Sequence, residues 1–228
     1  VVVEHINLEP AIYSLYAHLA SVSDALAVGD PVEAGDKLGI LGRSAGGYTI
    51  PRSRAHLHLE IGLRLSDDFE SWYQRNRYSS PNLHGNYNGM NLLGLDPLDF
   101  YSAFRDGRAE TLLQYIEQVP PAIMLHIRTQ RYPDFLERYP QLKLDGCGES
   151  QRAGWEVILS GWGFPLSLRP LREAELRGVR SPGDISIVAA SRSQIDTYAC
   201  RDITIDRNGQ LFLGRGGRMV LELLFKPD

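Results

Sequence analysis

The chain has 228 residues, with 24 Lys and Arg against 28 Asp and Glu, a formal net charge of −4 and a pI near 5.9. That balance gives no basic stripe for a nucleic-acid backbone, and no stretch approaches the roughly eighteen consecutive apolar residues of a membrane span. A hydrophobic content of 43% with 23% charged residues suits one large or two small globular domains, and the two cysteines, Cys147 and Cys200, lack the Cys-x-x-Cys spacing of a structural zinc site.

In chain order, Val1–His5 and Ala11–Tyr16 read as two strands flanking a turn around Asn7–Pro10. Val28–Asp36 follows with Gly-Asp turns at both ends, then Lys37–Gly42 as a further strand. A Gly-rich loop, Ser44–Tyr48, leads into Ala55–Ile61, read as a strand carrying His56 and His58. Little helix is expected before about Asp67. In an extended strand, residues i and i+2 share a face, so His56 and His58 would stand side by side while Leu57 and Leu59 bury the other side. Glu60 has the parity of His58, which allows a hydrogen bond to its imidazole; a solvated carboxylate is equally compatible.

Taken together and in this order, Tyr16-Ala17-His18-Leu19, the run from Val28 to Gly47, and Ala55–Ile61 resemble the C-terminal two-thirds of a lysostaphin-like zinc metallopeptidase domain, over about residues 1–100. Members of that family cleave peptide cross-links in bacterial cell walls. The resemblance implies a mainly β fold, an open β-sandwich around one zinc ion. It also implies a zinc endopeptidase, with His58 as a metal ligand and His18 and His56 handling the water proton and the oxyanion. Substrates would be peptidoglycan stem peptides, met in the periplasm or outside the cell. The residue types suit the chemistry: catalytic zinc usually takes three protein ligands and keeps one position open, and imidazoles beside it move protons and stabilise charge.

Two features depart from the family pattern. None of the six histidines, His5, His18, His56, His58, His84 and His126, has Asp four positions on, so the upstream His-x-x-x-Asp motif that supplies two further ligands is absent. The chain, which begins Val-Val-Val, is therefore read as lacking the N-terminal part of the domain, and as given it is expected to be inactive. Arg54-Ala55 also stands where the family usually has Gly-Pro. A non-catalytic wall-binding or hydrolase-activating protein on the same scaffold is the alternative; a biotinyl-like carrier is a more distant one. His5 reads as a structural histidine, His84 as a loop residue and His126 as a core-edge residue. Tyr16, Tyr48 and the loops Ser44–Tyr48 and Ser79–Gly89 suggest an extended peptide of small residues as ligand.

A peptidase-like domain is expected over residues 1–101 and a smaller α+β domain, of no recognised family, over 102–228. Ser102–Gln118 reads as one helix stopped by Pro120-Pro121, and Arg131–Tyr139 as a short helix between prolines. Trp155–Ser160 and Phe164–Arg169 suggest a hairpin. Ile185–Ala190, Asp202–Asp206, Gln210–Leu213 and Met219–Phe225 read as further strands, with a tight turn at Arg207-Asn208-Gly209. Trp155 and Trp162 suit either a buried core or sugar stacking. Cys147 and Cys200 could form one disulfide in an exported protein. The oligomeric state is not legible.

Overall fold

The computed structural model describes residues 1–226. The fold is mixed, with antiparallel sheets and six α-helices among these residues, and no sheet closes into a barrel. The N-terminal half comprises β1 (Val2–His5), β2 (Ile12–Ala17), β3 (Leu19–Val22), β4 (Gly39–Leu41), β5 (Ser44–Ala45), β6 (Tyr48–Thr49) and β7 (His58–Arg64), then α1 (Phe69–Arg75), β8 (Leu92–Leu95) and α2 (Pro97–Arg105). The C-terminal half comprises α3 (Leu112–Gln118), β9 (Pro121–Ile127), α4 (Phe135–Arg138), β10 (Gly154–Ser160), β11 (Pro165–Leu171), β12 (Ile185–Ala190), α5 (Arg192–Thr197), β13 (Thr204–Arg207), β14 (Gln210–Leu213) and α6 (Arg215–Phe225).

Two four-stranded antiparallel sheets carry the architecture, ordered β1-β2-β7-β8 and β11-β10-β9-β12. In the second, Trp155, Val157 and Leu159 alternate along β10 and are all fully buried, as period-two side chains on one covered face must be. α6 contributes to that core through Phe225, whose ring lies 6.1 Å from that of Trp155. One continuous cluster of buried residues runs from Ile61, Leu63 and Phe69 through Leu125 and Trp155 to Val220–Phe225. Polar links reinforce it: Trp72 Nε1 donates to Glu222 at 3.0 Å, and Arg138 donates to the carbonyls of Arg64 and Leu65 while pairing with Asp67. Residue 101, the expected domain boundary, lies inside α2.

Three local expectations are corrected. Residues 102–118 do not form one helix: α2 ends at Arg105, Gly107 adopts a left-handed φ of 67°, and Thr111 caps α3 by accepting from Gln114 N. Residues 219–225 are helix, not strand, because Val220, Leu221, Leu223, Leu224 and Phe225 are buried together as the inner face of α6. A short apolar run of this kind has no period that separates helix from strand. The third concerns the cysteines: both thiols are free, Cys147 buried and Cys200 exposed. The β13–β14 turn does follow its sequence, with Asn208 and Gly209 both at positive φ.

The segment between β2 and β7 is different in kind. It consists of the β3–β4 and β5–β6 ribbons and their loops, and from residue 18 to 57 only Ile50 is buried. Val22, Ile40, Leu41, Tyr48 and Leu57 are exposed. Gly42 allows the ribbon to cross closely, since a Cβ there would meet Ala20 N at 2.3 Å.

Candidate functional site

β2 and β7 pair antiparallel, with Ala17 opposite His58. His18, the next residue, takes a φ of 61°, uncommon for a residue with a side chain and costly by about 1–2 kcal/mol. This conformation ends the β2–β7 ladder and turns the chain into β3, where the His18 carbonyl accepts from Gly42 N at 2.8 Å. The same turn explains why His56 is not a strand residue. With no partner opposite it, β7 begins only at His58, and His56 lies just after a 3-10 turn, Arg52–Arg54. The reading of both histidines on one strand is corrected to this extent.

The three imidazoles nevertheless meet. The His18 ring lies 4.9 Å from that of His56 and 5.4 Å from that of His58, centroid to centroid, both edge to face. Each ring uses one nitrogen on an oxygen acceptor. His18 Nδ1 donates to the Ser44 carbonyl at 2.6 Å, His56 Nδ1 to the Arg54 carbonyl at 2.8 Å, and His58 Nε2 to Glu60 at 2.6 Å. Because all three acceptors are oxygens without a proton to give, the hydrogen sits on the imidazole in each case. In the neutral rings the lone pairs are therefore on Nε2 of His18 and His56 and on Nδ1 of His58, and none of these three nitrogens has a hydrogen-bond partner among the described residues. His18 and His58 are half-buried, and His56 is exposed.

Glu60 links the cluster inward. Its second oxygen accepts from the Tyr13 hydroxyl at 3.4 Å, and Tyr13 is 3% exposed. Burial first, and the Glu60 charge second, push the Tyr13 phenol well above its usual range, so it stays protonated and able to donate. A carboxylate that receives an imidazole N–H is the usual support of a metal-bound histidine, fixing the tautomer and ring orientation. His58 fits the requirements of one zinc ligand. The described residues do not supply a full set, since no group of three or more His, Cys, Asp or Glu among them is placed to hold a metal ion. If His58 ligates zinc, replacing Glu60 with alanine is expected to weaken that binding about 10–100-fold, read by competition with a chromogenic chelator. Unchanged affinity would remove Glu60 from this role.

The remaining candidates lie elsewhere in the chemistry. His5 shares a 2.8 Å hydrogen bond with Ser14 on β2 and is structural. His84 lies in the exposed loop after α1. His126 is 3% exposed, with Nδ1 accepting from Arg177 N and Nε2 facing Glu156. Tyr16 is half-buried on β2 and its hydroxyl accepts from Ser14, whereas Tyr48 is exposed at the β5–β6 turn. Trp155 is fully buried and Trp162 packs on Tyr198 while donating to the Gly94 carbonyl, so neither offers a sugar platform. The sequence reading missed the turn at His18 and the Tyr13 contact. Nothing in the run Ala11–Tyr16 singles Tyr13 out.

No helix among the described residues is long and apolar enough to cross a membrane. Compared with family models, curated proteins and solved structures, the chain matches none.

Proposed function

We propose that this protein is a zinc-dependent endopeptidase that hydrolyses peptide cross-links of bacterial peptidoglycan, acting in the periplasm or outside the cell on an open β-rich scaffold of the lysostaphin-like kind. The observation that carries the reading is the convergence of His18, His56 and His58, each with one nitrogen anchored and the other free. His58 would hold zinc through Nδ1, and a catalytic site needs further protein donors beside it. Zinc, when bound, supplies a Lewis acid for the scissile carbonyl and makes water acidic near neutral pH.

The chain's own residues do the rest. His18 and His56 present Nε2 lone pairs on rings 4.9 Å apart. One ring accepts the proton of the attacking water through its lone pair, and a ring that has taken up a proton donates to the oxygen that gains negative charge. No nucleophilic serine or cysteine is required. The Ser44 and Arg54 carbonyls keep both rings aimed, so proton transfer needs no ring flip.

The test is to supply the protein with zinc, incubate it with purified cell wall, and assay new amino termini and new reducing ends separately. New amino termini without new reducing ends support the reading. Binding to wall with no new amino termini would replace it with the non-catalytic alternative.

A further inference from the structure

Charge is distributed unevenly over the exposed segment that frames the histidines. Residues 23–36 contain Asp24, Asp30, Glu33 and Asp36 and no Lys or Arg, whereas residues 37–59 contain Lys37, Arg43, Arg52 and Arg54 and no Asp or Glu. The β3–β4 register fixes where each group lies. Leu19 pairs with Leu41 at the His18 end, and Val22 pairs with Gly39 at the far end, beyond which the acidic loop extends. The acidic loop therefore projects from the end of the ribbon away from the imidazoles. Two of its carboxylates are already used in turns, Asp30 accepting from Ala27 N and Asp36 from Glu33 N.

The arginines lie at the near end. Arg43 braces the base of the β5–β6 hairpin by donating to the Ile50 carbonyl, and Ser44 beside it holds His18. Arg52 and Arg54 occupy the turn whose last carbonyl holds His56; both are exposed, and neither has a carboxylate partner among the described residues. Two exposed arginines without carboxylate partners, in the turn that leads into His56, supply guanidiniums that recognise carboxylates, for which arginine offers a planar fork.

From this we infer that Arg52 and Arg54 select the substrate, and that the peptide taken at the histidine cluster carries a free carboxylate next to the bond presented there, as an acidic wall stem does and an uncharged glycine bridge does not. The inference rests on the peptidase reading for its reaction but on the arginines for its specificity. The two can fail separately.

The experiment compares three synthetic peptides on the 228-residue chain: an acidic stem tetrapeptide with its free α-carboxylate, the same peptide amidated, and pentaglycine. The carboxylate peptide is expected to bind about tenfold more tightly than the other two, a preference that shrinks as salt rises. The double variant Arg52→Gln/Arg54→Gln is expected to abolish the preference, and Arg52→Lys/Arg54→Lys to restore part of it. Both positions are exposed, and an unchanged circular dichroism spectrum establishes that each variant folds. Equal affinity for the three peptides, no measurable binding of the carboxylate peptide, or a preference that survives the Gln variant would each overturn the inference. With zinc supplied, cleavage of the amidated peptide or pentaglycine as readily as the carboxylate peptide would leave the peptidase reading standing and overturn this inference. Preferential binding of the carboxylate peptide without cleavage would leave this inference standing, and the peptidase reading is then decided by the wall assay alone.

Discussion

His18→Ala is expected, under the proposed peptidase activity, to lower the release of wall stem peptides by about 10²–10⁴-fold, the range for loss of a positioned acid or base. Zinc content should stay near that of the unsubstituted protein, because His18 is anchored to the Ser44 carbonyl and makes no contact with Glu60. Alanine must still adopt a positive φ at this position, so a modest loss of stability is expected alongside. His58→Ala provides the contrast. It removes the ring whose tautomer Glu60 fixes, and zinc content is expected to fall together with activity. Metal analysis and single-turnover assays on the two variants separate the roles. Equal metal loss from both would refute the division between proton handling and metal binding.

Phe69→Ala is expected to destabilise the protein by about 3–5 kcal/mol, the usual cost of emptying a buried aromatic position. Phe69 is fully buried, with its ring 5.5 Å from Trp72 and 5.7 Å from Tyr73. Trp72 in turn donates to Glu222 on α6, so the cavity opens where the two halves of the chain meet. The continuous core implies one cooperative unfolding transition that shifts as a whole. Thermal denaturation followed by near- and far-ultraviolet circular dichroism checks this. Two separated transitions, only one of them moved by the substitution, would show that residues 1–101 and 102–228 unfold independently.

What was legible in the sequence depended on local periodicity. His58 and Glu60 share a face because side chains in a strand alternate, and their 2.6 Å contact needs nothing else. The Asn208-Gly209 turn is equally local, since two successive positive φ angles favour this pair. The fold was legible at the level of a mixed, largely antiparallel architecture. The strand limit at His58 was not, because it is set by the partner strand turning away at His18, forty residues earlier in the chain. α6 was hidden for a related reason: six apolar residues around one Glu carry no clear period, and Gly216 and Gly217 before them weaken the helical signal. The Tyr13–Glu60 contact depends on β2–β7 pairing, which joins segments 47 residues apart. The resemblance to a wall peptidase proposed roles for individual histidines but gave no account of Arg52 and Arg54, of which Arg54 stands where that family's pattern differs.

The near-absence of buried side chains between residues 18 and 57 has a consequence for timing. Amide protons in β9 and β10, covered on the core side by Leu125, Trp155, Val157 and Leu159, exchange with solvent only through openings close in cost to global unfolding. Those of β3–β6 have almost nothing packed over them and exchange through cheap local openings. The histidine cluster straddles a similar divide, with His58 at the start of β7 in the sheet β1-β2-β7-β8 and His56 on the thinly packed segment. A ligand that engages both rings would therefore act as a clasp, slowing exchange across the ribbons while leaving the core sheets unchanged, and part of its binding energy would go into holding that segment still.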